Sequence, residues 1–171
     1  LLRLVMPYPA RFRAMIRLSL LTRWMAPVAK AIGMKRIAAM LSLSPRALPK
    51  ASPGLVRMHP PFGPKKGRVA LMSGCVDQVV KPSIREATIR LLTRHGVEVV
   101  LPEGEACCGS LSHHMGRERE AHDFVKNNVD AWTREIENGG LDAILITASG
   151  CGTTVKDYGF MLRADKAYAE K

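Results

Sequence analysis

The four cysteines of this 171-residue chain are its most chemical feature. Cys107 and Cys108 are adjacent, inside Glu103-Gly104-Glu105-Ala106-Cys107-Cys108-Gly109. Neighbouring cysteines rarely bridge each other, because an eight-membered disulfide ring strains the peptide bond between them. A vicinal pair in a loop can instead offer two thiolates to one inorganic centre. Cys75 and Cys151 each close a Ser-Gly-Cys triplet, Ser73-Gly74-Cys75 and Ser149-Gly150-Cys151. Each of these sites follows an apolar run, where a strand has just ended.

Four such thiols are open to three chemistries. Iron–sulfur clusters accept four cysteine ligands from scattered positions. Zinc also takes four cysteines, but usually from close Cys-x-x-Cys knuckles, which this chain lacks. A catalytic cysteine paired with histidine is the third, since His113 and His114 lie just after the pair. Those two histidines also read as loop or helix-cap residues. His59, His95 and His122 read as linker, helix-end and helix-surface residues. Asp157 and Tyr158 read as ordinary surface and core of the last helix.

The elements that must position the cysteines alternate strand and helix. Arg68-Val69-Ala70-Leu71-Met72 is a short apolar run, as expected of a strand buried on both faces. After Cys75, Pro82 suits the first turn of a helix. Ile84, Ala87, Thr88, Leu91 and Leu92 fill one face of it, and His95-Gly96 stops it. Val97 to Leu101 is the second strand. The longest helix spans about Arg117 to Asn138, with Ala121, Val125, Val129, Trp132 and Ile136 at helical spacing. Leu141 to Ala148 is the third strand, and a last helix runs from near Gly152 to about Arg163. This order predicts an α/β fold, a parallel sheet flanked by helices with right-handed crossovers. All strand C-termini then share one edge, where ligands bind. Cys75, Cys107, Cys108 and Cys151 converge there, facing helix N-termini that favour thiolate over thiol. Gly74, Gly109, Gly150 and Gly152 let backbone approach closely and free amides to donate to sulfur.

The charge divides the chain in two. Residues 1–68 hold fourteen Lys or Arg and no Asp or Glu; residues 69–171 hold twelve and fifteen. We read residues 1–67 as a basic helical connector and Pro-rich linker, and 68–171 as the cysteine domain. Helical patterns cover about Phe12 to Met25 and Val28 to Leu41, with Pro27 between them and Gly33 as a weak point. Ser44-Pro45, Pro49, Ser52-Pro53-Gly54 and Pro60-Pro61-Phe62-Gly63-Pro64 make an extended linker. The basic segment reads as a connector packing on a further domain, or as a helix on an anionic membrane surface. A nucleic-acid partner is not expected, because no binding motif or aromatic stacking pattern accompanies the charge. Fourteen cations without acidic partners also predict that residues 1–68 do not fold alone. No apolar run reaches the roughly 20 residues a membrane span needs. No secretory signal pattern is evident, so metal or redox chemistry is expected before structural disulfides. The opening residue is Leu1 rather than Met, which reads as part of something longer.

Cys75, 31 intervening residues, Cys107-Cys108-Gly109, and 42 more to Cys151 resemble the cysteine-rich CCG domain. That domain occurs in heterodisulfide reductase and in related iron–sulfur oxidoreductase subunits. The stretches Ile89 to Val100, His113 to Glu118 and Ala148 to Gly159 look most like the iron–sulfur subunits of glycolate oxidase (glycolate dehydrogenase). The resemblance covers about Arg68 to Lys171 strongly and the N-terminal segment weakly. It implies a Rossmann-like CCG fold in an electron-transfer subunit. FAD-containing subunits would oxidise glycolate, and this subunit would relay electrons towards a quinone-type acceptor. It implies an iron–sulfur cluster of 4Fe-4S type on Cys75, Cys107, Cys108 and Cys151, with Gly109, His113, His114 and Thr154 as candidate supporting residues. It also implies a ferredoxin-like domain and a second CCG domain elsewhere in the same subunit, and a cytoplasmic, membrane-peripheral location. A zinc-stabilised interaction module and a heterodisulfide-reductase-like thiol/disulfide subunit remain alternatives. The wider family pattern ends Cys-x-x-Cys, where this chain has Thr154. That departure puts a five-cysteine ligand set in doubt.

Overall fold

A computed structural model describes residues 2–43, 45, 47–50 and 56–171. Ser44 and the Ser52-Pro53-Gly54 turn of the expected linker lie outside the described residues. The cysteine-bearing part forms one four-stranded sheet in the order β1-β3-β2-β4. Its strands are β1 Met58–His59, β2 Gly67–Leu71, β3 Val97–Val100 and β4 Ala143–Leu145. β2 pairs in parallel with β3, Val69 opposite Val99, and with β4, Ala70 opposite Ile144. The α/β layer expected from the sequence is therefore present.

The sheet is not purely parallel. Met58 and His59, inside the stretch read as linker, pair antiparallel with Val100 and Val99. Two residues carry too weak an alternation to announce a strand. What holds them is a run of backbone bonds: the Leu101 amide donates to the Arg57 carbonyl at 2.7 Å, and the Phe62 amide to the Thr93 carbonyl at 2.8 Å. Arg57 to Phe62 are thus laid along the sheet's edge.

Both faces of the sheet are covered, which is why β2 and β3 read as continuous apolar runs. On one face Leu71, Val99 and Leu101 meet Ile89 and Leu92 of helix α6 (Ser83–Arg94). On the other, Ala70, Met72 and Val100 pack with Ala121, Val125 and Trp132 of the long helix α8 (Glu118–Glu137). Helix α6 ends as expected at Gly96, whose φ of +87° suits glycine; a Cβ there would stand 2.9 Å from the Pro64 carbonyl. Between α6 and β2 lies the short helix α5 (Asp77–Val80).

The last helix differs from its expected bounds. Helix α9 spans Ser149–Lys156, and a separate turn, α10 (Tyr158–Met161), follows Asp157. Cys151 consequently sits in the first turn of α9 rather than before the helix. A further short helix, α7 (Ser110–His114), starts directly after Cys108-Gly109.

The N-terminal segment is helical, as the pattern predicts, but in shorter pieces: α1 (Leu2–Val5), α2 (Pro9–Thr22), a 3-10 turn at Arg23–Met25, α3 (Ala26–Ala31) and α4 (Lys35–Ser42). The single helix expected over Val28 to Leu41 breaks at Gly33, which takes φ +82°. Among the segment's described residues little is buried beyond Pro7, Ile16, Ala29 and Ala38, while Leu21, Trp24, Ile32 and Met40 are at least 66% exposed. Its cations are not all without acidic partners. Arg3 pairs with Glu120 at 3.3 Å, Arg57 with Glu103 at 2.9 Å and Lys65 with Glu98 at 3.0 Å. The partners were invisible in the local sequence because each is supplied by the other part of the chain.

Candidate metal centre

The cysteines arrive at the sheet's C-terminal edge from three crossovers. Cys75 follows β2, and two residues later α5 begins. Cys107 and Cys108 end the loop after β3. Gly109 then takes φ +80°, and a Cβ there would lie 3.1 Å from the Ala121 carbonyl, so only glycine turns the chain into α7 at that spot. Cys151 stands in the first turn of α9, near the positive end of that helix.

The four sulfurs form a connected chain. The Sγ atoms of Cys75 and Cys107 are 3.6 Å apart. Cys107 also contacts Cys108 through its thiol, and Cys108 contacts Cys151. None forms a disulfide. Cys108 is held as thiolate, its pKa lowered to about 3 by hydrogen bonds from Cys107 and then Cys151. Cys107 is pushed up, first because its S–H donates to Cys108. Cys151 is pushed up for the same reason and by burial. Cys75 is lowered, chiefly by the bond from Cys107. Cys107 and Cys108 are buried; Cys75 and Cys151 are half-buried. The donor set is all thiol and gathered from distant positions, which fits an iron–sulfur cluster. Among the described residues, no three His, Cys, Asp or Glu side chains stand close enough to hold a single metal ion.

Around the sulfurs is a set of buried polar side chains. Glu105 accepts the Ser73 amide at 2.7 Å and the Trp132 indole N–H at 3.2 Å, tying the loops after β2 and β3 to α8. Burial pushes its carboxyl up to about 7. Asn128, wholly buried, accepts the Ala106 amide at 2.8 Å and donates to the Cys107 carbonyl at 3.0 Å and to the Tyr158 hydroxyl at 3.1 Å. The Tyr158 hydroxyl donates to the Cys108 carbonyl at 2.9 Å. A cleft of about 320 Å³ opens beside Cys75 and Cys107, lined also by Tyr8, Arg57, Arg85 and Glu105.

The other expected residues fall as follows. His113 and His114 are exposed at the end of α7, their rings 5.7 Å apart. Thr154 is buried, and its hydroxyl donates to the Gly150 carbonyl one turn back at 3.2 Å. It does not cap the helix, because it lies in the second turn. Tyr158 is more than ordinary core, since it holds the cysteine loop. Asn128 escaped the sequence reading altogether. Its signal was there: it falls between Val125 and Trp132 on the inward stripe of α8, a polar residue at an apolar position.

The model of the cysteine-rich domain CCG matches residues 69–156. The chain belongs to the CCG cysteine-rich domain family. It is 38% identical over 99% of its length to the glycolate oxidase iron-sulfur subunit of Escherichia coli K12. The matched part is 38% of that relative. A probable glycolate oxidase iron-sulfur subunit of Bacillus subtilis is 34% identical over 67% of the chain and 25% of the relative. One of the subunits of the CoM/CoB fumarate reductase of Methanothermobacter marburgensis is 36% identical over 53% of the chain and 18% of the relative. The chain thus spans well under half the length of these CCG relatives. No solved structure matches it.

Proposed function

We propose that the chain is an electron-transfer part of an iron–sulfur subunit, serving a complex that oxidises glycolate or a related 2-hydroxy acid. Cys75, Cys107, Cys108 and Cys151 hold the cluster, of the 4Fe-4S type. The observation that carries this reading is the convergence of all four thiols, from three crossovers, on one sheet edge. When bound, the cluster supplies reversible one-electron transfer. The chain's own contribution is to gather the sulfurs, hold their negative charge against amides and helix ends, and keep Cys107 and Cys108 away from water. Electrons come from FAD-containing partner subunits and leave towards a quinone-type acceptor. Further ferredoxin-like and CCG domains of the same subunit complete the path.

A peripheral place on the inner membrane face belongs to this proposal too. No helix among the described residues is long and apolar enough to cross a membrane. The exposed apolar residues of α2 to α4, interleaved with Arg17, Arg23, Lys30, Lys35 and Arg36, are suited to contact with either a further domain or anionic lipid.

The test is anaerobic reconstitution of the chain, followed by iron and sulfide analysis and an electronic spectrum. Matching iron and sulfide with a broad visible charge-transfer band is the expected result. A colourless protein that takes zinc instead would overturn it. A thiol/disulfide role has one observation in its favour, the direct contact of the Cys75 and Cys107 sulfurs. It predicts a redox-titratable disulfide in the iron-free chain.

A further inference from the structure

Asn128 and Tyr158 take up both carbonyls of the cysteine pair. Asn128 Nδ2 donates to the Cys107 carbonyl and Tyr158 Oη to the Cys108 carbonyl. These partners come from α8 and α10, not from neighbouring backbone. A trans peptide is planar, with its N–H opposed to its C=O. Fixing the Cys107 carbonyl therefore also fixes the Cys108 amide, and fixing the Cys108 carbonyl fixes the Gly109 amide.

One of those amides meets a sulfur: the Gly109 N–H faces the Cys107 sulfur. The network is complete in itself. Asn128 accepts Ala106 N–H, so its amide is satisfied at both ends. Tyr158 is buried, and burial raises its phenol, so it stays protonated and able to donate. Its ring stacks on Trp132, centroids 5.9 Å apart and planes 19° apart, which fixes where the hydroxyl points.

We propose that Asn128 and Tyr158 are positioning residues that hold the two peptide planes of the cysteine pair, Tyr158 turning the Gly109 amide onto the Cys107 sulfur and Asn128 fixing the Cys107–Cys108 plane between the two sulfurs. The consequence for a bound cluster rests on the function proposed above. Amide donors to cluster sulfurs stabilise the more negative, reduced state and raise the reduction potential. Weakening them lowers the potential and loosens the cluster.

The experiment compares wild type, Tyr158→Phe, Asn128→Leu and a packing control, Val125→Ala, one turn away on the same buried face of α8. Tyr158→Phe keeps the stacked ring and removes only the O–H donor. In the reconstituted protein we expect a midpoint potential shifted negative and iron release to a chelator about tenfold faster, as for loss of other outer-sphere partners. Asn128→Leu shifts both further in the same direction. Val125→Ala lowers the melting temperature without moving the potential. Unchanged potential and release in Tyr158→Phe would overturn the proposal, as would an equal potential shift in Val125→Ala. Amide hydrogen exchange in the metal-free chain keeps this separate from the cluster reading. If wild type takes up no iron, that reading fails. The positioning role then stands or falls on whether Tyr158→Phe speeds exchange at Gly109 while leaving the rest of α8 unchanged.

Discussion

The two ends of the sheet are built from opposite materials. At the end where β2, β3 and β4 begin, Arg68 closes the structure with charge. Its guanidinium pairs with Glu98 at 2.8 Å and Glu135 at 2.6 Å, and donates to the Gly140 carbonyl at 2.7 Å. Its backbone amide donates to Asp142 at 2.7 Å. One side chain thus joins two strands, the end of α8 and the turn before β4. At the other end the one ion pair near the thiols among the described residues, Arg57 with Glu103, is exposed on the rim of the cleft. There Asn128, Tyr158 and Glu105 orient the loops, and the four sulfurs remain unbridged. The first end is finished by the chain itself; the second is organised for something the chain must bind. Stability and chemistry are therefore separated by the length of the strands.

The sharpest way to break this contrast is at the thiol end. Cys108→Ser or Cys151→Ser should lose most of the iron after reconstitution, while the metal-free variants keep the wild-type far-ultraviolet spectrum. Iron analysis and circular dichroism read the two halves of that expectation. Full iron in both variants would remove the cluster assignment.

Arg68→Met makes the reverse case. It leaves Glu135 without its partner and two carbonyls without their donor, in a region only partly open to water. Breaking a buried ion pair costs about 3–5 kcal/mol, and we expect the lower end here because solvent reaches Glu135. Denaturant titration should show that loss. The folded fraction should still take up iron in the wild-type ratio, since Arg68 is at the far end of the strands. Parallel loss of iron per folded chain would mean the two ends are coupled.

The thiol end was the more legible in sequence. Apolar runs followed by Ser-Gly-Cys, Cys-Cys-Gly and Ser-Gly-Cys fix strand ends and sulfur positions together, because a parallel sheet puts every strand C-terminus on one edge. What was not legible depends on distant pairing. β1 has two residues and exists only because β3 offers an edge. Arg68 read merely as the opening residue of the first strand, although Glu98, Glu135 and Asp142 decide its role. Asn128 shows only as a polar residue on an apolar stripe, and the backbone carbonyls that it and Tyr158 bond carry no sequence signature. Short helices were missed for a related reason: α7 is one turn and shows no periodicity.

The N-terminal helices offer a third kind of surface, finished by neither charge nor bonded loops. Leu21 and Trp24 are 71% and 70% exposed. Replacing both with Ser should change the stability of this chain by no more than about 0.5 kcal/mol, the usual range for surface sites. It should reduce binding to anionic vesicles, or to a further domain of the same protein, whichever the face contacts. A loss of several kcal/mol would show that these residues are packed within the chain. Residues 1–64 alone should melt without cooperativity, because their buried contacts and acidic partners lie largely in the remainder; a sharp transition would count against this.

The smallest expected effect lies at Thr154, and it bears on the thiol end most closely. This residue stands where the wider family pattern has a further cysteine. Its hydroxyl is buried yet directed to the Gly150 carbonyl, within its own helix. That carbonyl sits inside α9 and has the helix's own amide as partner, so losing the hydroxyl orphans nothing. Valine has nearly the same shape and the same branching. Thr154→Val should therefore alter stability by less than about 1 kcal/mol, the usual net worth of one hydrogen bond. Iron content should stay at the wild-type value, with at most a small shift of potential, because a hydroxyl is a far harder and less acidic donor than the thiolates around it. If this variant alone emptied the site, oxygen would be doing the work of the absent fifth sulfur, and four thiols would not be enough. If iron stays while Cys151→Ser loses it, three residues away on the same helix, then α9 contributes one sulfur and the four cysteines are the complete ligand set.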